Sequence, residues 1–366
     1  MNWGLQVENK FIRGHIHTIH PYEPVVPLDI LSAQLGVPEN QLVKLDANEN
    51  PYGMPPKAKT RLNQLSDGHI YPDPESRRLR QALSRFLDLP IQNVLAGAGA
   101  DELIDLIVRL SFEPGDAIIN CPPTFGFYST VAQIHNVGVT TVERNQDFSL
   151  NLEGIREAVR AGSKGIFLAN PNNPDGSLIP HETIMALLDL PILVVIDEAY
   201  VEFASPSSSL KRMVQTQDNL IVLRTFSKWG GLAGIRLGYG IFPKFYLDEL
   251  MKIKQPYNVS VVAQEAGLGA LEDISLLNQR LGLVLTERNR LISALGSINW
   301  LKPYPSQANF VLCKVLEKEA RFVKKRLAKQ GILVRYFNQP RLQDHLRFSI
   351  GKPEETDRLI EVLKEI

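Results

Sequence analysis

"NLIVLRTFSKWGGLAGIRLGYG", residues 219–240, opens on an apolar run and closes on small residues, and between them stand Thr225, Ser227, Lys228 and Arg236. A near-continuous Ile/Val/Leu run marks a strand covered on both faces. Polar groups crowded just past such a run lie where open α/β sheets bind ligands, at the carboxyl ends of their strands. Working outward, the same form recurs in "NVLAGAG" (93–99), "DAIINC" (116–121), "VGVTTV" (137–142), "GIFLAN" (165–170) and "ILVVID" (192–197). Longer stretches of helical periodicity separate several of these runs, as in "ADELIDLIVRLSF" and "TFGFYSTVAQI". Strands alternating with helices predict an α/β fold with a large, mostly parallel sheet between two helical layers.

After about residue 255 the pattern changes. "LLNQRLGLVLTERNRLISALG" predicts one long helix, and "ANFVLCKV", "GILVRYF" and "HLRFSI" predict three short strands of a smaller α+β lobe. The first 45 residues include the proline-rich "HPYEPVVPLD", which reads as extended chain rather than a long helix. Three units follow: an N-terminal arm (1–45), a large three-layer α/β/α domain (46–260) and a smaller α+β C-terminal domain (261–366). His15, His17 and His20 cluster in the arm, but no cysteine or carboxylate stands at ligand spacing, so no metal site is expected.

The bulk composition narrows the function classes. The chain has 366 residues, 44% hydrophobic and 22% charged, with 40 basic and 40 acidic side chains. A formal charge of zero supplies no long-range attraction to nucleic acid or anionic membrane, so a small-molecule partner is expected. Two isolated cysteines without CxxC spacing suit a reducing compartment, and no apolar run approaches the ~18 residues of a membrane span. The expectation is a cytoplasmic protein that engages neither membrane nor nucleic acid.

What stands past each strand supplies the chemistry. "GIFLAN" runs into Pro171-Asn172-Asn173-Pro174-Asp175-Gly176; "ILVVID" ends on Asp197 with Tyr200 three positions on; "VLAGAG" runs into Ala100-Asp101 at a helix start. "GAGADE" fails as a dinucleotide fingerprint because Glu102 stands where the third glycine should be, but a small-residue helix start still suits a phosphate. An amide, a carboxylate, a phenol, a lysine, two hydroxyls and an arginine thus meet at one rim. That set matches pyridoxal 5'-phosphate: an amine for its aldehyde (Lys228), a carboxylate for its ring nitrogen (Asp197), donors for its phenolate oxygen (Tyr200, Asn173), and hydroxyls, amides and a guanidinium for its phosphate.

"NPNNPDG", "DEAY" and "TFSKWGGLAGIRLGYG", in that order, resemble the fold-type-I aminotransferases. Within that superfamily "KLDANENPYG" (44–53), "YPDPESRRLR" (71–80), "GADE" (99–102), "CPPTFGFY" (121–128), "GILVRYF" and "HLRFSIG" resemble the histidinol-phosphate aminotransferases, so the likeness covers nearly the whole chain. The resemblance implies a Schiff base on Lys228, Asp197 on the pyridine nitrogen, Tyr200 and Asn173 at the phenolate oxygen, and Phe125 stacked on the ring. It implies Ala100, Asp101, Thr225, Ser227 and Arg236 around the phosphate, joined by Tyr71 from the opposite subunit of a homodimer with shared active sites. Arg335 and Arg347 would grip the anionic end of the substrate, helped by Tyr22 of the arm. The implied substrates are L-histidinol phosphate and glutamate/2-oxoglutarate. Two departures stand out: Phe125 replaces a commoner tyrosine, and Asp175 replaces the threonine of an N-P-T-G turn. The alternatives are an aromatic amino acid aminotransferase, a threonine-phosphate decarboxylase and a non-catalytic cofactor-binding regulator. The last ordinarily carries a DNA-binding segment, for which this chain has neither the length nor a basic patch.

Overall fold

A computed structural model describes residues 11–19 and 26–366. Among the described residues twelve strands, numbered in chain order, form two sheets. They are β1 (Val43–Leu45), β2 (Val94–Gly97), β3 (Ala117–Asn120), β4 (Gly138–Thr141), β5 (Gly165–Ala169), β6 (Leu193–Asp197), β7 (Leu220–Thr225), β8 (Gly238–Ile241), β9 (Leu301–Pro303), β10 (Phe310–Val315), β11 (Ile332–Tyr336) and β12 (His345–Ser349).

The larger sheet has seven strands in the order β2-β8-β7-β6-β5-β3-β4. Pairings among β7, β6, β5, β3 and β4 are all parallel, and β8 runs antiparallel between β2 and β7. Alternate side chains of each central strand feed opposite layers, as the two-residue period of a strand requires. Ile166, Leu168, Val194, Ile196, Leu220 and Val222 join one buried core, while Phe167, Val195, Ile221 and Leu223 join another. Two apolar layers on one sheet are the physical content of the three-layer prediction. The parallel strands present their carboxyl ends at one edge: Ala169 of β5 pairs with Asp197 of β6, Asp197 pairs with Leu223 of β7, and Thr225 ends β7 two residues further on.

β8 carried no apolar signal because its sequence is "GYGI". Glycine is required there: a Cβ on Gly238 would stand 2.4 Å from the backbone nitrogen of Ala100, and one on Gly240 would strike the Phe242 ring at 2.4 Å. The close approach at Gly238 seats the start of helix Ala100–Ser111 directly against the tip of β8.

The five-stranded sheet runs β1-β11-β12-β10-β9 and contains the three expected strands plus two short ones. The long helix Ile274–Gly296 leads into its last four strands in sequence, β9 to β12. β1 pairs parallel with β11, so the chain just before residue 46 is built into this smaller sheet. Ahead of it the arm holds a two-turn helix, Leu28–Leu35, closed by Gly36 at φ +67°, which begins at the end of the proline-rich stretch read as extended; residues 20–25 of that stretch lie outside the described residues. His15 hydrogen-bonds to the Ile134 carbonyl at 3.2 Å. No described helix is long and apolar enough to cross a membrane.

Candidate active site

The strand tips and the loops that follow them enclose a cavity of ≈ 210 Å³. All ten sequence-predicted cofactor residues on the large sheet line it: Ala100, Asp101, Phe125, Asn173, Asp197, Tyr200, Thr225, Ser227, Lys228 and Arg236. Their separations in sequence vanish because parallel strands present all their carboxyl ends at one edge.

Lys228 donates to the Ala47 carbonyl at 3.1 Å and stands 5.8 Å from the centre of the Tyr200 ring. Burial, followed by the positive charge of Arg347, pushes its amine down to about 8, which leaves a substantial neutral, nucleophilic fraction near neutral pH. Asp197 accepts from the Tyr128 hydroxyl at 2.7 Å and from the Ala199 amide at 3.0 Å. Burial raises this carboxyl to about 6 even though both hydrogen bonds work the other way. Its two partners are neutral, so the anion lacks a counter-charge.

The remaining groups form two corners. In the first, helix Ala100–Ser111 begins with Gly99 at φ +88°, and a Cβ there would meet the Arg236 guanidinium at 2.6 Å. Arg236 pairs with Asp101 at 2.8 Å, and the Thr225 and Ser227 hydroxyls lie 2.9 Å apart. Amides at a helix start, two hydroxyls and a guanidinium make an anion cradle. In the second corner, Asn173 Oδ1 accepts from Arg347 at 2.6 Å, and the Tyr200 hydroxyl accepts from Asn48 Nδ2 at 3.1 Å. Arg347 also donates to the Asp46 carbonyl at 2.7 Å. Arg335 stands directly across the strand pair from Arg347 and lines an adjoining ≈ 540 Å³ groove rather than the cavity itself. Two guanidiniums opposite one another on neighbouring strands repel unless an anion lies between them.

Tyr71 does not line the cavity of its own chain; it is 79% exposed and stacks on Tyr257 with ring centres 4.5 Å apart. Tyr22 lies outside the described residues. Asp175 is buried and shapes the turn: one oxygen accepts from the Ser177 amide at 3.0 Å and the other from Asn172, which leaves Asn173 facing the cavity.

Sequence reasoning missed Tyr128 and Asn48. Tyr128 follows Phe125 by three positions at the start of helix Phe127–Ile134, the spacing that puts both rings on one side; they meet edge to face at 5.4 Å. Asn48 holds φ +56° and anchors to Ser349, which donates to its Oδ1 at 2.8 Å. The arrangement thus offers a buried amine, an uncompensated acid, a ring-sized apolar wall and two separate anion corners. Such a donor set has the chemical character to hold a phosphorylated aromatic aldehyde.

The chain belongs to the aminotransferase class I and II family, whose profile matches residues 40–363. Within it, the chain is 49% identical to the chloroplastic histidinol-phosphate aminotransferase of Nicotiana plumbaginifolia, over 97% of this chain and 86% of that one. It is 46% identical to the histidinol-phosphate aminotransferase of Roseiflexus castenholzii, covering 97% and 98% of the two chains. The crystal structure of histidinol-phosphate aminotransferase from Sinorhizobium meliloti in complex with pyridoxal-5'-phosphate superposes with a TM-score of 0.88 at 30% identity, covering 97% and 98%.

Proposed function

We propose that this chain holds pyridoxal 5'-phosphate in the cavity and exchanges an amino group between L-histidinol phosphate and 2-oxoglutarate, giving imidazole-acetol phosphate and L-glutamate, a step of histidine biosynthesis. The observation that carries the reading is the meeting of Lys228, Asp197 and the anion cradle of Arg236 in one cavity. The residues fit the cofactor: a buried carboxylate with only neutral partners suits a cationic ring nitrogen, and a helix start that excludes any Cβ at Gly99 suits a phosphate.

When bound, the cofactor supplies an aldehyde for amine exchange and an electron-accepting ring. Lys228 is the resident amine. Once freed by the donor's own amine, its side chain would be the base that takes the proton from the nitrogen-bearing substrate carbon and holds it for delivery on the other side of that nitrogen, the group's depressed basicity suiting both directions. Asp197 keeps the ring nitrogen protonated, and Tyr128 and the Ala199 amide fix the direction of its oxygens. Tyr200 and Asn173 hold the phenolate oxygen, and Phe125 closes one ring face. Ala100, Asp101, Thr225, Ser227 and Arg236 bind the phosphate. Tyr71 reaches that phosphate from a second copy of the chain, so a homodimer with shared sites is part of the proposal; its exposure on a lone chain supports this.

Arg347 and Arg335 receive the substrate's anion. A guanidinium fork takes a phosphate or a carboxylate alike, which lets one site accept both L-histidinol phosphate and glutamate. The division into arm, 46–260 and 261–366 and a cytoplasmic location belong to the same proposal, the latter supported by two free, buried cysteines. The test is glutamate formation from L-histidinol phosphate and 2-oxoglutarate by purified, cofactor-loaded protein. A higher kcat/KM with phenylalanine than with L-histidinol phosphate, or release of CO2 in place of an amino-group acceptor product, refutes the reading.

A further inference from the structure

Three carboxylates line the cavity: Glu49, Asp101 and Asp197. Asp197 accepts a hydrogen bond on each oxygen, and Asp101 is paired with Arg236 at the helix start. Glu49 has no role in the chemistry described so far. Lys44 Nζ lies 2.6 Å from its Oε2, and among the described residues no group engages Oε1. Its side chain is 48% exposed, at the open side of the cavity.

The segment that carries Glu49 is the substrate wall. Within four residues, the Asp46 carbonyl accepts from Arg347 at 2.7 Å, the Ala47 carbonyl accepts from Lys228 at 3.1 Å, and Glu49 follows. Its charge is felt at the reacting amine: burial and Arg347 depress Lys228, and Glu49 is the foremost influence in the opposite direction. A half-exposed carboxylate in the same cavity wall as the proton-transferring amine is placed to meet whatever arm of the substrate the arginines do not hold.

On the function proposed above, we propose that Glu49 selects the donor's ring: its carboxylate accepts the imidazole N–H of L-histidinol phosphate, and Lys44 is the positioning residue that holds it there. The chemistry separates the three kinds of donor this fold accommodates. An imidazole brings an N–H, and a full positive charge when protonated, to an anionic acceptor. The side-chain carboxylate of glutamate is repelled by Glu49 and is driven toward Arg335 and Arg347. A phenyl ring brings no proton and would strip water from the Glu49 oxygen without replacing it, the situation in which a polar site rejects an analogue most strongly.

The test compares kcat/KM for L-histidinol phosphate, L-glutamate and L-phenylalanine in the holoenzyme, wild type against Glu49→Gln, Glu49→Asp and Lys44→Met. Glu49→Gln is expected to lower kcat/KM for L-histidinol phosphate about tenfold, mainly through KM, the size of one charge-assisted hydrogen bond. Glutamate is expected to hold or gain, and phenylalanine to gain, because a neutral amide is less costly to desolvate than a carboxylate. Glu49→Asp, which keeps the charge, is expected to recover part of the preference. Lys44→Met is expected to weaken the preference in the same sense but by less. Equal losses for all three donors, as a merely structural residue would give, overturn the inference, and so does an unchanged L-histidinol phosphate value. A wild type inert to L-histidinol phosphate but active with phenylalanine overturns the proposed function as well, whereas an active wild type with an indifferent Glu49→Gln overturns this inference alone.

Discussion

Replacing Asp197 by asparagine removes one buried negative charge and leaves the shape of the cavity unchanged. In the cofactor-free protein the carboxyl is raised from 3.8 to about 6, first by burial, with the Tyr128 and Ala199 hydrogen bonds opposing. A folded-state value above the unfolded one means that the native state binds the proton more tightly. The group's stabilising contribution is therefore complete below the unfolded value and is lost as pH rises through about 6. At ~1.4 kcal/mol per pH unit, the displacement corresponds to ~3 kcal/mol. The substituted amide cannot titrate, so the stability of wild type relative to Asp197→Asn should fall by ~2.5 kcal/mol between about pH 4 and about pH 7, the rest of the change lying at lower pH. The constant offset from the altered hydrogen bond with the Ala199 amide cancels in that difference. Urea unfolding of the cofactor-free proteins across this range, followed by tryptophan fluorescence, measures it. Loading wild type with pyridoxal 5'-phosphate should flatten its pH slope, because a cationic ring nitrogen keeps Asp197 ionised. Stability curves that stay parallel over the whole range would refute the reasoning, since they would mean that the carboxylate is not held against an uncompensated burial penalty.

Other outcomes follow from the same geometry. The rate at which pyridoxal 5'-phosphate attaches to cofactor-free protein, followed by absorbance, should climb with pH and level off near the depressed Lys228 value of about 8, because the neutral amine is the nucleophile; an ordinary lysine would keep the rate rising through about pH 10. Gly99→Ala places a Cβ within 2.6 Å of the Arg236 guanidinium at a φ of +88°, so cofactor affinity measured by equilibrium titration should drop while the unfolding midpoint moves much less. Arg347→Lys keeps the charge but gives up the fork that spans Asn173 and Asp46, and should raise KM for both substrates by about 10- to 100-fold in steady-state assays.

The parallel strands were legible because burial on both faces leaves an unbroken apolar record: 165–170, 192–197 and 219–225 all end within a residue of β5, β6 and β7. β8 was not, because a strand squeezed between the Ala100 backbone and Phe242 must be written in glycine, and glycine carries no hydropathy signal. β1 was missed for a different reason: its parallel partner, β11, lies near the other end of the chain, and nothing local announces such a pairing. The same contrast runs through the site. Residues at strand tips are located by their strands, so Asp197, Thr225 and Lys228 could be placed together before any coordinates. Tyr128 and Asn48 act through direction rather than position: one depends on where a helix begins, the other on a left-handed backbone at φ +56°. Glu49, in a segment read only for its resemblance, shows its cavity-facing side only in three dimensions. Tyr71 is exposed on a single chain, and its proposed role requires a second one.

Reduction of the cofactor-loaded protein with borohydride, followed by peptide mass mapping, puts the central claim to its most direct test. The account predicts a single pyridoxyl mass increment on the peptide that contains Lys228, absent from Lys228→Ala. A label on any other lysine, or no label in protein that has been shown to exchange amino groups, would contradict it.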